Sequence, residues 1–152
     1  METAASLPSP EKETPPKARG AGAIFHIADT DEFMFFLRDD KDWIPFPNMI
    51  DIIGGHMENG ETPEQAAMRE FGEELEDTES GEPFQPTGLT HFTTYRDGRN
   101  VEQNIFGCEL ETRPNLTLKE GQNLVFIPRA ELAQIDFAFN YNRVVQDYAQ
   151  TV

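Results

Sequence analysis

The sequence predicts one mixed α+β domain, or a layered α/β/α domain, and three observations support this prediction. Short apolar runs rich in isoleucine and phenylalanine recur between turn-forming segments, which is typical of strands in a mixed sheet. One segment has the capping residues and periodicity of an amphipathic helix, and two further helical segments close the chain. With 152 residues, the chain is most naturally one domain that is long enough to bury a core.

The first twenty residues predict a disordered tail. Residues 1–20 hold four prolines, balanced charge and almost no large apolar side chains. Such a segment cannot bury enough apolar surface to offset the conformational entropy that it would lose on folding. We therefore expect the folded domain to span residues 21–152.

Strands are predicted at the start of this domain. The runs AGAIFHIA (21–28) and EFMFFLR (32–38) are apolar, and the polar segment DTDE forms a turn between them. The following IPFPN segment is expected to be extended, because each proline restricts itself and its predecessor. The run MIDII (49–53) then predicts a short strand that ends at the glycine pair 54–55.

The next segment predicts a helix from Thr62 to about Glu76. Thr62 is a favourable N-cap, and Pro63 suits the first helical position. At 100° per residue, the apolar residues of this segment fall on one stripe, which we expect to face the core. The members of this stripe are Ala67, Met68, Phe71 and Leu75.

A hairpin, a strand and two closing helices are predicted in the second half. The runs LTHFTTYR (89–96) and VEQNIFGCEL (101–110) flank DGRN, which is a clear hairpin signal. NLVFIP (123–128) predicts another strand, whereas RAELAQI (129–135) and NYNRVVQDYAQ (140–150) predict helices. The residues expected on the buried face of the last helix are Val144, Val145 and Tyr148.

The charge of the chain excludes several classes of partner. Its 28 acidic and 12 basic residues give a formal net charge of −16, which argues against binding a nucleic-acid polymer or an anionic membrane surface. A small polyanionic substrate would be repelled as well, unless a divalent cation screened the site.

The single cysteine and the length of the apolar runs indicate the cellular compartment. Cys108 cannot form an intramolecular disulfide, which fits a reducing compartment. No apolar run approaches the roughly 18 residues needed to span a bilayer, and no secretory signal is evident. A cytoplasmic location is therefore expected.

A stripe of glutamates lies on a second face of the predicted helix. Glu70, Glu73 and Glu74 are spaced i, i+3, i+4, and like charges one turn apart repel each other. Hard divalent cations such as Mg²⁺ take oxygen ligands and suit converging carboxylates. Glutamates are also good helix formers, so the stripe alone favours an ordinary solvated face. Arg69, on the flank, is able to orient a neighbouring carboxylate.

The glutamate stripe belongs to a longer pattern that resembles the Nudix box. Gly55, five residues, Glu61, seven residues and the run REFGEE (69–74) have the spacing of this family's motif. These residue types at this spacing are expected by chance on the order of once in 100,000 chains. The order of elements over about 20–152 resembles the family's α/β/α sandwich. The segments GETPEQAAMRE and KEGQ (119–122) resemble the MutT-like branch, whose members hydrolyse nucleoside triphosphates.

The resemblance implies a set of metal ligands. Glu73 and Glu74 would bind metal, and Glu70 would be either a ligand or the base that activates water. The carbonyl oxygen of Gly54 would also bind metal. Glu120, in the KEGQ segment, takes the position of a further acidic ligand.

The resemblance also implies orienting residues and a cofactor. Arg69 and Glu61 would be paired with each other or with the metal ligands. In family members the metals bridge the substrate's diphosphate and the attacking water, so Mg²⁺ or Mn²⁺ is the expected cofactor. The cations would also explain how an acidic protein admits a phosphate-rich substrate.

The chain departs from the family pattern at two places. Glu76 and Asp77 stand where the box normally ends in glycine and an apolar residue. Because that glycine usually provides a left-handed helix end, we expect this helix to run on or to close differently. Ile53 replaces a proline that is common before the glycine pair. Neither change removes a ligand.

The residues that read the substrate are less clearly marked. Asn140 and Asn142 lie where MutT-like proteins place an asparagine that reads a purine edge, with helix capping as the alternative for Asn140. Aromatic residues are candidates for stacking on a base, although core packing is the commoner role for any one of them. These residues are Trp43, Phe46, Phe137, Phe139 and Tyr141. Arginines that could hold phosphates, unless they are simply solvated, are Arg38, Arg96 and Arg99. Cys108 is expected to be a packed thiol.

The leading hypothesis is a Mg²⁺-dependent Nudix pyrophosphohydrolase that acts on a nucleoside diphosphate linked to another moiety, including a normal or modified nucleoside triphosphate. An ADP-ribose or nucleotide-sugar hydrolase is the alternative within the same class. A non-catalytic Nudix-fold nucleotide-binding or regulatory module is the alternative from another class. The intact glutamates argue against that module, whereas Glu76 and Asp77 leave it open. The sequence does not give the oligomeric state.

Overall fold

A mixed β-sheet forms the framework of the computed structural model, which describes residues 14–152. At its centre, β1 (Ala18–Ile27) and β7 (Val101–Leu110) run parallel over their whole length. Strands β2, β3, β4, β6 and β9 complete the sheet, and all of their pairings are antiparallel. Their bounds are Glu32–Leu37, Ile50–Asp51, Ile53–His56, Thr90–Arg96 and Asn123–Pro128.

In the described part of the chain, two helices, two 3₁₀ turns and a small second sheet complete the fold. Helix α1 spans Pro63–Glu74 and helix α2 spans Asn142–Ala149. The 3₁₀ turns span Arg129–Gln134 and Ala138–Asn140. Strands β5 (Leu75–Asp77) and β8 (Leu116–Leu118) pair antiparallel as a separate ribbon. None of the helices in the described part of the chain has the length and apolarity to cross a membrane.

The sheet is covered by one helix on each face. Along β1, Ile24 belongs to the core cluster that includes α2, whereas Ala23 and Phe25 belong to the cluster that includes α1. This alternation is expected of a strand whose two faces are both buried. The α1 side contains Ala67 and Phe71, as the apolar stripe predicted. The structure therefore confirms the predicted α/β/α sandwich.

Most predicted elements are confirmed, but two differ, and neither strand of the small second sheet was predicted. The predicted helix over residues 129–135 is a 3₁₀ turn, and the predicted strand over 49–53 is divided into β3 and β4. Strand β4 continues through the glycine pair instead of ending at it. Strand β8 was not predicted, because three residues carry too little periodicity to indicate a strand.

The start of the folded part lies slightly earlier than predicted. The Lys17 amide donates to the Asn100 carbonyl at 2.8 Å, and β1 begins at Ala18. Residues 18–20 thus belong to the sheet rather than to the predicted tail. Residues 1–13 lie outside the described residues, so the tail prediction applies to them unchanged.

Candidate active site

A pocket of about 770 Å³ lies at the end of α1 and β4, and it has two chemically different ends. We call the first the glutamate end; the side chains that define it are Glu70, Glu73, Glu74 and Glu120. We call the second the arginine end; the side chains that define it are Arg38, Asp51, Arg99, Phe139 and Tyr141. The predicted site residues Gly54, Glu70, Glu73, Glu74, Glu120, Arg38 and Tyr141 all line the pocket, whereas Arg69, Glu61 and Asn140 do not.

A capping box fixes the start of α1. The Thr62 hydroxyl oxygen accepts a hydrogen bond from the Gln65 amide at 3.1 Å, and the Gln65 side-chain oxygen accepts one from the Thr62 amide at 3.0 Å. Pro63 occupies the first turn, as predicted. Because the start is fixed, the register of the helix, and with it the face that carries the glutamates, is fixed as well.

Arg69 organises the carboxylates around it. Its Nε and Nη2 donate to the two carboxylate oxygens of Glu61 at 2.6 and 3.1 Å. Its Nη1 donates to Glu70 at 2.9 Å and to Glu73 at 3.2 Å, and Nη2 also donates to the His56 carbonyl at 2.9 Å. These bonds, above all those donated to Glu61, raise the pKa of Arg69, and the same guanidinium lowers the pKa of Glu61. The predicted Arg69–Glu61 pair is therefore present.

The glycine pair allows two close approaches. A Cβ atom on Gly55 would lie 2.4 Å from the Glu70 carboxylate, and one on Gly54 would lie 2.3 Å from the Ala21 carbonyl oxygen. Gly55 is therefore needed so that Glu70 can lie against β4, and Gly54 is needed so that β1 and β4 can pair. A strand end was expected at this pair, but the glycines lie within a strand.

Glu74 lies in an environment with excess negative charge. Burial raises the pKa of its carboxyl group to about 9, and the neighbouring Glu70, Glu120 and Asp51 add to the increase. Burial and the neighbouring carboxylates therefore disfavour ionisation of Glu74 when no cation is present. A divalent cation would relieve this repulsion, and the available side-chain donors are all carboxylate oxygens, which suit Mg²⁺ or Mn²⁺.

The predicted convergence of all three glutamates on one point is not found. The Glu73 side chain is 58% exposed and is bonded to Arg69 instead of lying beside Glu74. Within residues 14–152, no three His, Cys, Asp or Glu side chains already surround a common point closely enough to hold a metal ion. The donor chemistry thus fits a hard divalent cation, whereas the side chains of Glu73 and Glu120 are exposed in this arrangement.

The ribbon of β5 and β8 brings Glu120 to the end of α1. Leu75 has an extended backbone and pairs with Leu118, so the helix ends without a left-handed residue. The Lys119 amide donates to the Glu74 carbonyl at 2.8 Å, and the Lys119 Nζ lies 3.1 Å from a carboxylate oxygen of Glu76. The residue that departs from the usual box ending, Glu76, therefore pairs with the residue that precedes Glu120.

Asp51 is a pocket residue that the sequence analysis missed. It is 6% exposed, and its Oδ2 accepts from Arg38 Nη1 at 2.9 Å while its Oδ1 accepts from the Ile52 amide at 2.8 Å. Burial raises the pKa of Asp51 to about 6, despite the Arg38 charge. The available signal was a charged residue in a short apolar strand, but no spacing pattern marked it.

Phe139 anchors the aromatic part of the arginine end. Its backbone is left-handed, with φ of 56°. The Phe46 ring lies 4.6 Å from its ring centroid, and the guanidinium carbons of Arg99 and Arg38 lie 4.5 and 5.1 Å from it. Tyr141 donates its hydroxyl to Gln103 Oε1 at 3.1 Å. Four predicted candidates, Arg38, Arg99, Phe46 and Tyr141, are thus brought together around Phe139, which is itself a fifth.

Other candidates lie elsewhere. Asn140 is exposed, while the Asn142 side chain accepts from the Phe137 amide at 3.1 Å and so holds the preceding turn. Phe137 is a core residue, and Trp43 is 79% exposed outside the pocket lining. Arg96 donates to the Thr14 carbonyl at 2.6 Å, away from the pocket. Cys108 is buried, as predicted, and burial raises the pKa of its thiol to about 11.

Several solved structures have the same fold. The NUDIX domain of Shewanella oneidensis NrtR, complexed with ADP ribose, has a TM-score of 0.71 at 15% identity and covers 99% of each chain. A mutT/nudix family protein from Listeria innocua has a TM-score of 0.69 at 18% identity, with 91% of this chain and 95% of that chain covered. A structure of MutT, from a study of the Aliivibrio salmonicida and Vibrio cholerae proteins, has a TM-score of 0.64 at 22% identity, with 88% and 97% covered.

The family is shown by a match between this chain and the sequence model of a protein family. The model of the NUDIX domain matches residues 16–148, which is most of the chain. No curated protein sequence matches significantly. The matched region contains the Arg69 cluster, both ends of the pocket and all strands of the sheet. The chain therefore belongs to the Nudix family of hydrolases.

Proposed function

We propose that the protein is a Mg²⁺- or Mn²⁺-dependent pyrophosphohydrolase of nucleoside diphosphates linked to another moiety, including normal or modified nucleoside triphosphates. The observation that supports this most directly is the carboxylate cluster around Arg69 at one end of a pocket of about 770 Å³. This volume falls within the usual range for small-molecule sites. The opposite end offers aromatic and hydrogen-bonding groups suited to a nucleoside.

The glutamate end would hold the cation. Glu70 and Glu74 lie side by side and partly buried, and Glu73, Glu120 and the Gly54 carbonyl oxygen are the further oxygen donors of our proposal. A bound divalent cation supplies Lewis-acid polarisation of phosphate oxygens and lowers the pKa of a bound water molecule.

The reaction adds water to one phosphorus of the diphosphate and breaks a phosphorus–oxygen bond of the anhydride. A proton leaves the attacking water, and the bridging oxygen leaves with the departing phosphate group. Glu70 is either a metal ligand or the acceptor of this proton, and Gly55 allows its carboxylate to lie at the wall of the pocket. Arg69 and Glu61 would be positioning residues that fix the Glu70 carboxylate.

An ADP-ribose or nucleotide-sugar hydrolase is the second candidate function. It is favoured by the likeness to the NrtR NUDIX domain, whose structure is a complex with ADP ribose. A non-catalytic nucleotide-binding module is a third possibility, but all of the box carboxylates are present in this chain.

A hydrolysis screen tests the proposal. The folded protein is incubated with nucleoside triphosphates, nucleotide sugars, ADP-ribose and dinucleoside polyphosphates, with Mg²⁺, with Mn²⁺ or with a chelator. We expect release of phosphate, pyrophosphate or a nucleoside monophosphate that depends on the metal. Binding without hydrolysis across the screen would support the module instead.

A further inference from the structure

The arginine end of the pocket contains a hydrogen-bonding pair that the proposed catalytic chemistry does not use. The Arg38 guanidinium and the Asp51 carboxylate are 2.9 Å apart, and the side chains are 17% and 8% exposed. Both line the pocket together with Phe139 and Tyr141. A buried ion pair of this kind is costly to desolvate, so its position in a pocket calls for an explanation.

The pair keeps hydrogen-bonding capacity after its internal bonds are counted. Each Asp51 oxygen accepts one bond, from Arg38 or from the Ile52 amide, and a carboxylate oxygen can accept a second. Arg38 has five N–H donors, of which one goes to Asp51 and one, from Nε, goes to the Pro45 carbonyl at 3.0 Å. The remaining N–H donors of Arg38 therefore lie directly beside the Asp51 carboxylate, which is an acceptor, at the wall of the pocket.

The cations at this end are already neutralised, which disfavours a second phosphate site. Arg38 is paired with Asp51, and Arg99 Nη2 lies 2.7 Å from a carboxylate oxygen of Asp97. A neutral group that combines an acceptor with an N–H donor fits such a surface better than an anion does. The Arg38 and Arg99 guanidiniums lie 5.1 and 4.5 Å from the Phe139 ring, so flat surfaces for stacking are present as well.

We propose that Arg38 and Asp51 select nucleobases with a lactam edge, in which a carbonyl oxygen adjoins a ring N–H. Hypoxanthine, guanine, uracil and thymine have this edge. Arg38 would donate to the carbonyl oxygen, and Asp51 would accept from the ring N–H. Adenine and cytosine present an amino group beside an unprotonated ring nitrogen, which is the reverse order. This inference deepens the proposed function and rests on it for the orientation of the substrate.

Two matched pairs of nucleotides test the selection. The kcat/KM and the equilibrium Kd are measured for inosine against adenosine 5′-triphosphate and for uridine against cytidine 5′-triphosphate, with Mg²⁺. Within each pair the lactam edge is exchanged for the amino edge. We expect the lactam nucleotide to be favoured about 10- to 100-fold in both pairs, the factor given by one well-formed two-bond contact to a base.

The variant Asp51→Asn identifies the residues responsible. An amide can donate to an unprotonated ring nitrogen, so the preference should fall to about threefold or less, or invert. Asp39→Asn is the matched control, because it removes a carboxylate that lines the same pocket but pairs with Lys41 instead of Arg38. The preference should persist in this variant.

The outcomes separate this inference from the proposed function. Hydrolysis with equal kcat/KM values within each pair, measured on the parent protein, would overturn the inference and leave the hydrolase in place. Binding that prefers lactam bases without any hydrolysis would overturn the hydrolase and support the inference. If none of the four nucleotides binds or is hydrolysed, the inference is wrong. An unchanged preference in folded Asp51→Asn would remove Asp51 from the selection.

Discussion

The two ends of the pocket differ in how their charged side chains are paired. At the glutamate end, the only described cation bonded to Glu61, Glu70 and Glu73 is Arg69, and Glu74 is left with a pKa raised to about 9. At the arginine end, Arg38 and Arg99 each have a carboxylate partner of their own. The glutamate end therefore has an excess of negative charge, to which our proposal assigns a divalent cation, whereas the charges of the arginine end are paired within the chain. This contrast separates the residues expected to drive the chemistry from those expected to select the substrate.

The largest effect should follow from removing a charge at the glutamate end. Glu74→Gln keeps the shape of the protonated side chain but cannot ionise to bind a cation. We expect kcat to fall on the order of 100-fold, about 3 kcal/mol of barrier, with little change in KM, because a bound metal acts most strongly on the charge that develops in the transition state. Steady-state kinetics on the best substrate of the screen measure this. Glu64→Gln, an exposed glutamate of the same helix, is the control.

The next effect comes from filling the space beside Glu70. In Gly55→Ala the new Cβ would lie 2.4 Å from the Glu70 carboxylate, which is the free end of a flexible side chain. The protein should fold, but the displaced carboxylate should lower kcat roughly 10-fold or more. Gly98→Ala, where no atom lies within 4 Å of the added methyl group, is the control and should behave like the parent. Equal activity of both variants would contradict the place given to Glu70.

At the arginine end, the burial of Asp51 should make the free energy of unfolding depend on pH. The pKa of Asp51 is raised from 3.8 to about 6 in the folded protein, so the folded state binds a proton more tightly than the unfolded state. Stability contributed by this group is therefore present below about pH 4 and is lost as pH rises through 6. The total is about 3 kcal/mol.

Asp51→Asn removes this titration. Denaturant unfolding of parent and variant at pH 4 and pH 7 measures it, and the variant should gain stability relative to the parent between the two pH values. A difference between parent and variant that is the same at both pH values would show that the Asp51 carboxylate is not penalised by burial.

The smallest effect should come from the ribbon of β5 and β8, which lies beside the glutamate end. The Glu76 and Lys119 side chains are 31% and 47% exposed, so their ion pair should contribute less than about 1 kcal/mol. Glu76→Gln should therefore lower the free energy of unfolding only slightly. Asp147→Asn, which breaks an exposed pair with Arg143 far from the pocket, provides the reference. A loss well above that reference would show that the ribbon is tied to the stability of the whole domain.

Apart from Glu120, the glutamate end could be predicted from the sequence because it is local. The residues from Gly54 to Glu74 lie on one strand and the helix that follows, so helical periodicity and motif spacing place them together. The Arg69–Glu61 pair was one of the two pairings that the resemblance to the Nudix box implied. What could not be predicted was that Glu73 pairs with Arg69 rather than joining Glu74, since competition among neighbouring charges depends on side-chain geometry.

The arginine end could not be predicted as a unit because it is non-local. Arg38, Asp51, Arg99 and Phe139 come from separate loops and strands that only the pairing of the sheet brings together. Arg38, Arg99, Phe139 and Tyr141 were suggested individually, but Asp51 was missed, and Asn140 does not line the pocket. The ribbon of β5 and β8 was missed as well, because pairing with a distant three-residue strand overrides the helical pattern at residues 75–76.

Binding of Mn²⁺ to the free protein tests the contrast between the two ends most directly. Calorimetric titration is carried out on the parent, on Glu73→Gln and on Tyr141→Phe, since the first variant changes the glutamate end and the second changes only a hydroxyl group at the arginine end. We predict that the parent binds Mn²⁺, that Glu73→Gln weakens the Kd about 10-fold or more, and that Tyr141→Phe leaves the Kd within about twofold. A folded parent that binds no Mn²⁺, or a Kd that Tyr141→Phe weakens as much as Glu73→Gln does, would contradict the account.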